Sequence, residues 1–125
     1  MAAPNIVGIA TVTGITTTLS LGDTVPTTIV SNAAGSNYVY KINTIIGSND
    51  SSAGTVKLTV KLCDAAAGLG ASTSLATNVG IASEATLVVL DKASSIYLEE
   101  NRSISVQADT ASRCDVTVSY EQIID

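Results

Sequence analysis

The sequence predicts an all-β protein: an antiparallel β-sandwich, jelly-roll-like, in a single domain covering residues 1–125. Three observations lead there. The stretch TVKLTVKLC, Thr55 to Cys63, places Val56, Leu58, Val60 and Leu62 on one face and Thr55, Lys57, Thr59, Lys61 and Cys63 on the other. Period-two alternation of this length is a strand with one buried and one solvated face, the habit of antiparallel sheets. Next, the chain is 46% hydrophobic but only 3% aromatic, with no Phe and no Trp, so its apolar residues are mainly Val, Ile, Leu and Ala. β-Branched residues fit a pleated, half-buried surface better than a helix. Finally, no segment holds a helical period over ten residues, whereas turn-forming clusters punctuate the chain.

Taken in order, weaker strand patterns cover Ile6–Val12, Ile15–Leu21 and Thr27–Val30, and the cluster NAAGS (Asn32–Ser36) then turns the chain. Tyr38, Tyr40, Ile42, Thr44 and Ile46 alternate, and SNDSSAG (Ser48–Gly54) forms the next turn. Beyond Thr55–Cys63, the segment AAAGLGAS (Ala65–Ser72) reads as a loop because Gly68 and Gly70 oppose a helical turn. A further weak strand spans Leu75–Ile81. ATLVVLDK, residues 85–92, is apolar on both faces, which suits a central strand or one lying against a neighbouring subunit. Ile104, Val106 and Ala108 alternate, as do Val116, Val118 and Tyr120, with ADTASR (Ala108–Arg113) between them. About eight to ten short strands at this spacing suit a sandwich.

The formal net charge of −5, with only six Lys and Arg, offers no basic cluster for nucleic acid or for an anionic membrane surface. Neither partner is expected. The opening MAAPNIVGIATVTG has no basic leader region, and no apolar run approaches the ~20 residues needed to cross a bilayer. Cys63 and Cys114 are far apart in sequence and read as small reduced residues in strands. A disulfide would require Cα atoms within ~7 Å. With no CxxC pair and no histidine, a zinc site is not expected.

The absence of histidine also removes Ser–His and Cys–His nucleophile pairs. No GxSxG elbow is present, and GLGAS (residues 68–72) lacks both the lysine of a P-loop and the third glycine of GxGxxG. Asn49, Asp50 and Asp64 carry calcium-type oxygens without an EF-hand or nonapeptide spacing. Neither a metal, a cofactor nor an enzymatic activity is expected. The polar tetrad Glu99, Glu100, Asn101 and Arg102, within SIYLEENRSISVQAD, was the remaining candidate for a chemical site. Adjacent glutamates on an extended segment point to opposite sides and cannot flank one bond. The tetrad therefore reads as a turn, with Asn101 taking the left-handed conformation and Arg102 close enough to pair with a glutamate. Its tip is a candidate subunit contact.

MAAPNIVGIATVTG, KINTIIGSND, LVVLDKASSIYLEENRSISV and the closing VTVSYEQI resemble small virion structural proteins of tailed phages, especially those infecting marine cyanobacteria. Where related proteins often carry a Gly-Asp pair in the turn, this chain has Asn101–Arg102. The resemblance implies a non-enzymatic assembly role, made in the host cytoplasm and resident in the virion. It implies a homo-oligomer, a trimer by preference, and no catalytic residues. A capsid decoration (cement) protein bridging major capsid subunits is the leading expectation; a neck, tail or fibre component comes second and a glycan- or receptor-binding module third. The expected contact residues are the N-terminal arm Met1, Ala2, Ala3, Pro4 and Asn5, an apolar face with Val88 and Leu90, and the tetrad Glu99, Glu100, Asn101 and Arg102. Of the four tyrosines, Tyr38, Tyr40 and Tyr120 share parity with buried positions and read as core.

Overall fold

A computed structural model of the chain describes residues 11–124. The expected arm Met1–Asn5, and residues 6–10 of the first weak strand, lie outside the described residues. The described residues form nine strands: β1 (Thr11–Leu21), β2 (Thr27–Asn32), β3 (Val39–Asn49), β4 (Val56–Cys63), β5 (Ser72–Ile81), β6 (Thr86–Leu90), β7 (Ile96–Leu98), β8 (Arg102–Ala108) and β9 (Cys114–Ile124). Two antiparallel sheets face each other, as the alternation predicts. The first runs β1-β9-β3, with β6 and β7 sharing the far edge of β3; the second runs β2-β8-β4-β5.

The pairing has a simple logic. The first half of the chain pairs backwards with the second: β1 with β9, β2 with β8, β3 with β7 and β6, and β4 with β5. This doubled ribbon then rolls up, so that β9 also pairs with β3 and β8 with β4. Every strand thereby directs one face towards a shared aliphatic interior. Ile42, Ile45, Leu58, Leu98 and Ile104 are fully buried there, together with Val56, Val60, Val106, Val116 and Val118. Full burial of one such side chain contributes ~1.5–3 kcal/mol. Gly47 belongs to this interior for a packing reason, since a Cβ there would lie 2.5 Å from Cδ2 of Leu58 on the opposite sheet.

Bulges overturn the predicted alternation in two places. In β3, Asn43 is an extra residue against β9. Ile42 and Ile45 consequently point inward, while Ile46 faces outward with Thr44. In β6, Val89 is the extra residue: Leu90 pairs with Ile45 and Val88 with Ile46. The expected apolar face of Val88 and Leu90 is therefore corrected. Leu90 is buried in the core, whereas Val88 stands outside at 56% exposure, because one inserted residue reverses the parity of everything beyond it. Nor is β6 a central strand among the described residues, where it pairs only with β3.

β4 follows its predicted parity, yet Cys63 is buried. It pairs with Ser103 on the outward side of the second sheet, and the segment after β4 folds back over that end. That segment holds one short 3-10 turn, Ala66–Gly68, with Ala67 at φ 61. Two asparagines from the expected turn clusters serve as buried polar pins. The Asn32 amide donates to the carbonyls of Tyr38 and Leu98, and the Asn49 amide donates to those of Gly54 and Ile81. Burial without such partners would cost each group ~1–3 kcal/mol.

Candidate functional site

The tetrad is a turn, as expected, with Asn101 at φ 56. Its side chains do more than stay solvated, because the last three reach two distant backbone segments, Glu100 one and Asn101 and Arg102 the other. Glu100 accepts from the amides of Gly35 and Asn37, at 3.2 and 2.9 Å. Asn101 Oδ1 accepts from the Ala66 amide at 3.1 Å. Arg102 donates to the carbonyl of Asp64 and lies 3.9 Å from its carboxylate. The expected Arg102–glutamate pairing is thus replaced by Arg102–Asp64, because the roll of the ribbon brings the end of β4 beside the start of β8. Both partners are substantially exposed, so this ion pair is worth ~0–1 kcal/mol. Glu99 points into solvent, as opposite-facing neighbours on an extended segment require.

Ser103 completes the arrangement. It is fully buried, accepts from the Gly68 amide and donates to the Ala65 carbonyl. Ser31 accepts from the Ala67 amide. Gly68 has no room for a side chain: a Cβ would lie 2.5 Å from Thr28 Oγ1 on β2. Residues 64–70 therefore form a hydrogen-bonded roof over one end of the second sheet. The partners could not be read locally; the one sequence signal was a serine inside the alternating run Arg102–Ala108.

Beside the roof, the outer face of the second sheet carries an open groove of about 290 Å³ lined by Thr59, Lys61, Ser74, Thr77, Asn78 and Gln107 among others. Thr59 and Asn78 are linked there through hydroxyl, amide and backbone groups. The lining supplies hydroxyls, amides, one ammonium and the Asp109 carboxylate, with no aromatic ring on which a sugar could stack.

The first sheet presents a different outer face. Tyr97 pairs with Lys41, Val88 with Ile46 and Val12 with Ile123, all on the side away from the core. Tyr97 and Val12 are each 46% exposed. The other tyrosines cluster at one end of the sandwich: Tyr40 lies 5.0 Å from Tyr120 and 6.3 Å from Tyr38 between ring centroids. Tyr120 is core, as expected, while Tyr38 and Tyr40 are half-buried. Burial, with Tyr120 and Tyr38 alongside, raises the Tyr40 phenol above its ordinary pKa.

Cys63 and Cys114 are both free and buried. Burial, reinforced by Asp115 and Asp50, pushes the Cys114 thiol up to about 11, so it is protonated and a poor nucleophile near neutral pH. Among the described residues, no group of three or more Cys, Asp or Glu gathers in metal-binding proximity.

No family model matches the chain, and no curated protein matches it in sequence. Among solved structures, it is similar to the capsid asymmetric unit of cyanophage Pam1, at 13% identity over 100% of this chain and 93% of that one, with a TM-score of 0.41. It is also similar to the CBM22-1–GH10 modules of Clostridium thermocellum xylanase 10B, solved with xylohexaose. There the identity is 12% over 88% of this chain and 26% of that one, with a TM-score of 0.24.

Proposed function

We propose that this chain is a non-enzymatic structural protein of a phage virion, and specifically a capsid decoration protein. The strand order, in which β1 to β4 pair in reverse with β9 to β5 and the ribbon rolls into two sheets, is read as a jelly roll whose far strand is split into β6 and β7. Jelly rolls serve viral shells because both sheets close on one core and leave two broad outer faces for neighbours.

The observation that carries the reading is the outer face of the first sheet, which leaves Val12, Val88 and Tyr97 exposed at separate points along its strands. Exposed apolar and aromatic side chains on one outer face suit burial against another protein. The resemblance of MAAPNIVGIATVTG and LVVLDKASSIYLEENRSISV to small phage virion proteins supports the same reading. The partner is the major capsid protein or another virion protein, and the chain acts as a homo-oligomer, a trimer by the resemblance. The mechanism is bridging: many copies each span adjoining capsid subunits, and the summed contacts resist internal pressure through avidity. Met1–Asn5 serves as an arm pairing at a neighbouring sheet edge, and the Glu99–Arg102 turn serves as a rim contact.

The test is copy number per purified virion relative to the major capsid protein, by quantitative mass spectrometry. A ratio of the same order supports shell decoration. A ratio lower by more than tenfold assigns the protein to neck, tail or fibre and removes the bridging mechanism.

A further inference from the structure

The sheet edges differ in how they resist pairing with another chain. β2 is six residues long and shifts register at Thr28–Val30. β5 shifts register twice against β4 and carries Asn78 at φ 47. β6 and β7 are five and three residues long, separated by a 3-10 turn flanked by Asp91 and bearing Lys92. Shortness, bulges and charge are the usual defences of an exposed edge. β1 has none of them. Its eleven residues pair one for one with β9 without a register shift, and TVTGITTTLSL contains no charge and no proline. Among the described residues, β9 is the only strand paired with it. Ile15 and Leu19, which face the interior, remain only half-buried along this open side.

We propose that β1 is a self-association edge, at which two copies pair β1 with β1 antiparallel about a two-fold axis through Thr16. The sequence of the strand is complementary to itself in that register. On the inner face, Ile15 meets Thr17 of the second copy, Leu19 meets Thr13 and Leu21 meets Thr11, so each aliphatic side chain lies opposite a threonine. On the outer face, Val12 meets Ser20, Gly14 meets Thr18 and Thr16 meets itself. No like charges oppose each other, although each copy carries a formal −5. An edge without any charge gives no ionic hold to an acidic or basic partner, which favours a second copy as the occupant. Pairing would satisfy the backbone groups of β1 that have no strand partner among the described residues and complete the burial of Ile15 and Leu19. Eleven residues a side falls below the roughly 20–30 of a standard interface, so the contact is weak, with a Kd on the order of micromolar or above. It adds to any three-fold contact made elsewhere and is independent of the virion reading.

The experiment is sedimentation equilibrium on the full chain over a hundredfold range of concentration, comparing wild type with Thr16→Lys, Thr18→Lys and Thr16→Val. Wild type and Thr16→Val gain weight-average mass with concentration. Either lysine variant weakens association about tenfold or more while far-UV circular dichroism and thermal melting stay unchanged. Thr18→Lys provides the reading if Thr16→Lys fails to fold. A wild-type mass independent of concentration overturns the proposal. So does unchanged association in a folded lysine variant, whether the contact then uses Met1–Asn5 or another face.

Discussion

On the outer face of the first sheet, Val12, Val88 and Tyr97 stand exposed without a covering segment among the described residues. On the outer face of the second, Ser103 and Cys63 are roofed by residues 64–70, and Thr59, Lys61 and Gln107 line an open polar groove. Both faces come from strands rich in Val, Thr and Ser. They differ because the second sheet spends its polar side chains on its own backbone, through Asn101, Arg102 and Ser103. The first keeps apolar side chains with nothing of their own to cover. Among the described residues the second face carries its own covering segment, while Val12, Val88 and Tyr97 of the first do not, which makes the first face the one to perturb for binding.

The largest effect is expected there. Combining Val88→Asp with Tyr97→Asp should weaken attachment to preformed capsids at least ~10-fold, equivalent to roughly 1.4 kcal/mol. Lys61→Glu in the polar groove should leave attachment unchanged. Co-sedimentation with capsids lacking the protein measures both, and equal losses would erase the contrast between the faces. The roof is tested through stability. Ser103→Val should cost ~1–3 kcal/mol by leaving the Gly68 amide and Ala65 carbonyl without their partner. Urea unfolding measures the loss, and faster amide exchange over residues 64–70 localises it. Glu100→Ala removes two exposed hydrogen bonds from the Gly35 and Asn37 amides and should cost ~1 kcal/mol. Exchange at those two amides should accelerate while the roof stays protected.

A further effect is pH-dependent. Because the folded Cys114 pKa is about 11, against an ordinary value of 9.0, the folded state holds this proton more tightly than the unfolded one. Its contribution is present in full below pH 9 and is lost as pH rises through 11. Urea midpoints of wild type should fall over that interval more steeply than those of Cys114→Ala.

Much of the fold was legible locally. The alternating runs at Tyr38–Ile46, Thr55–Cys63, Ile104–Ala108 and Val116–Tyr120 all became strands, and Asn101 occupies the left-handed turn expected of it. Less was legible of the site. The tetrad could be recognised as a turn, but its partners Gly35, Asn37, Ala66 and Asp64 lie more than thirty residues away along the chain. Composition alone could not rank Asn32 and Asn49 above other turn asparagines, since their role depends on carbonyls delivered by distant strands.

The physical division follows from range. Period-two hydrophobicity, β-branching and turn chemistry act between near neighbours, so strands, their buried faces and an aliphatic core are properties of the chain read in order. Bulges are decided by the partner strand. Asn43 and Val89 become extra residues only when β9 and β3 fix the register, and only then do Val88 and Leu90 part to opposite faces. Covering is likewise a tertiary matter: Cys63 has the parity of a solvated residue and is buried because residues 64–70 fold across it.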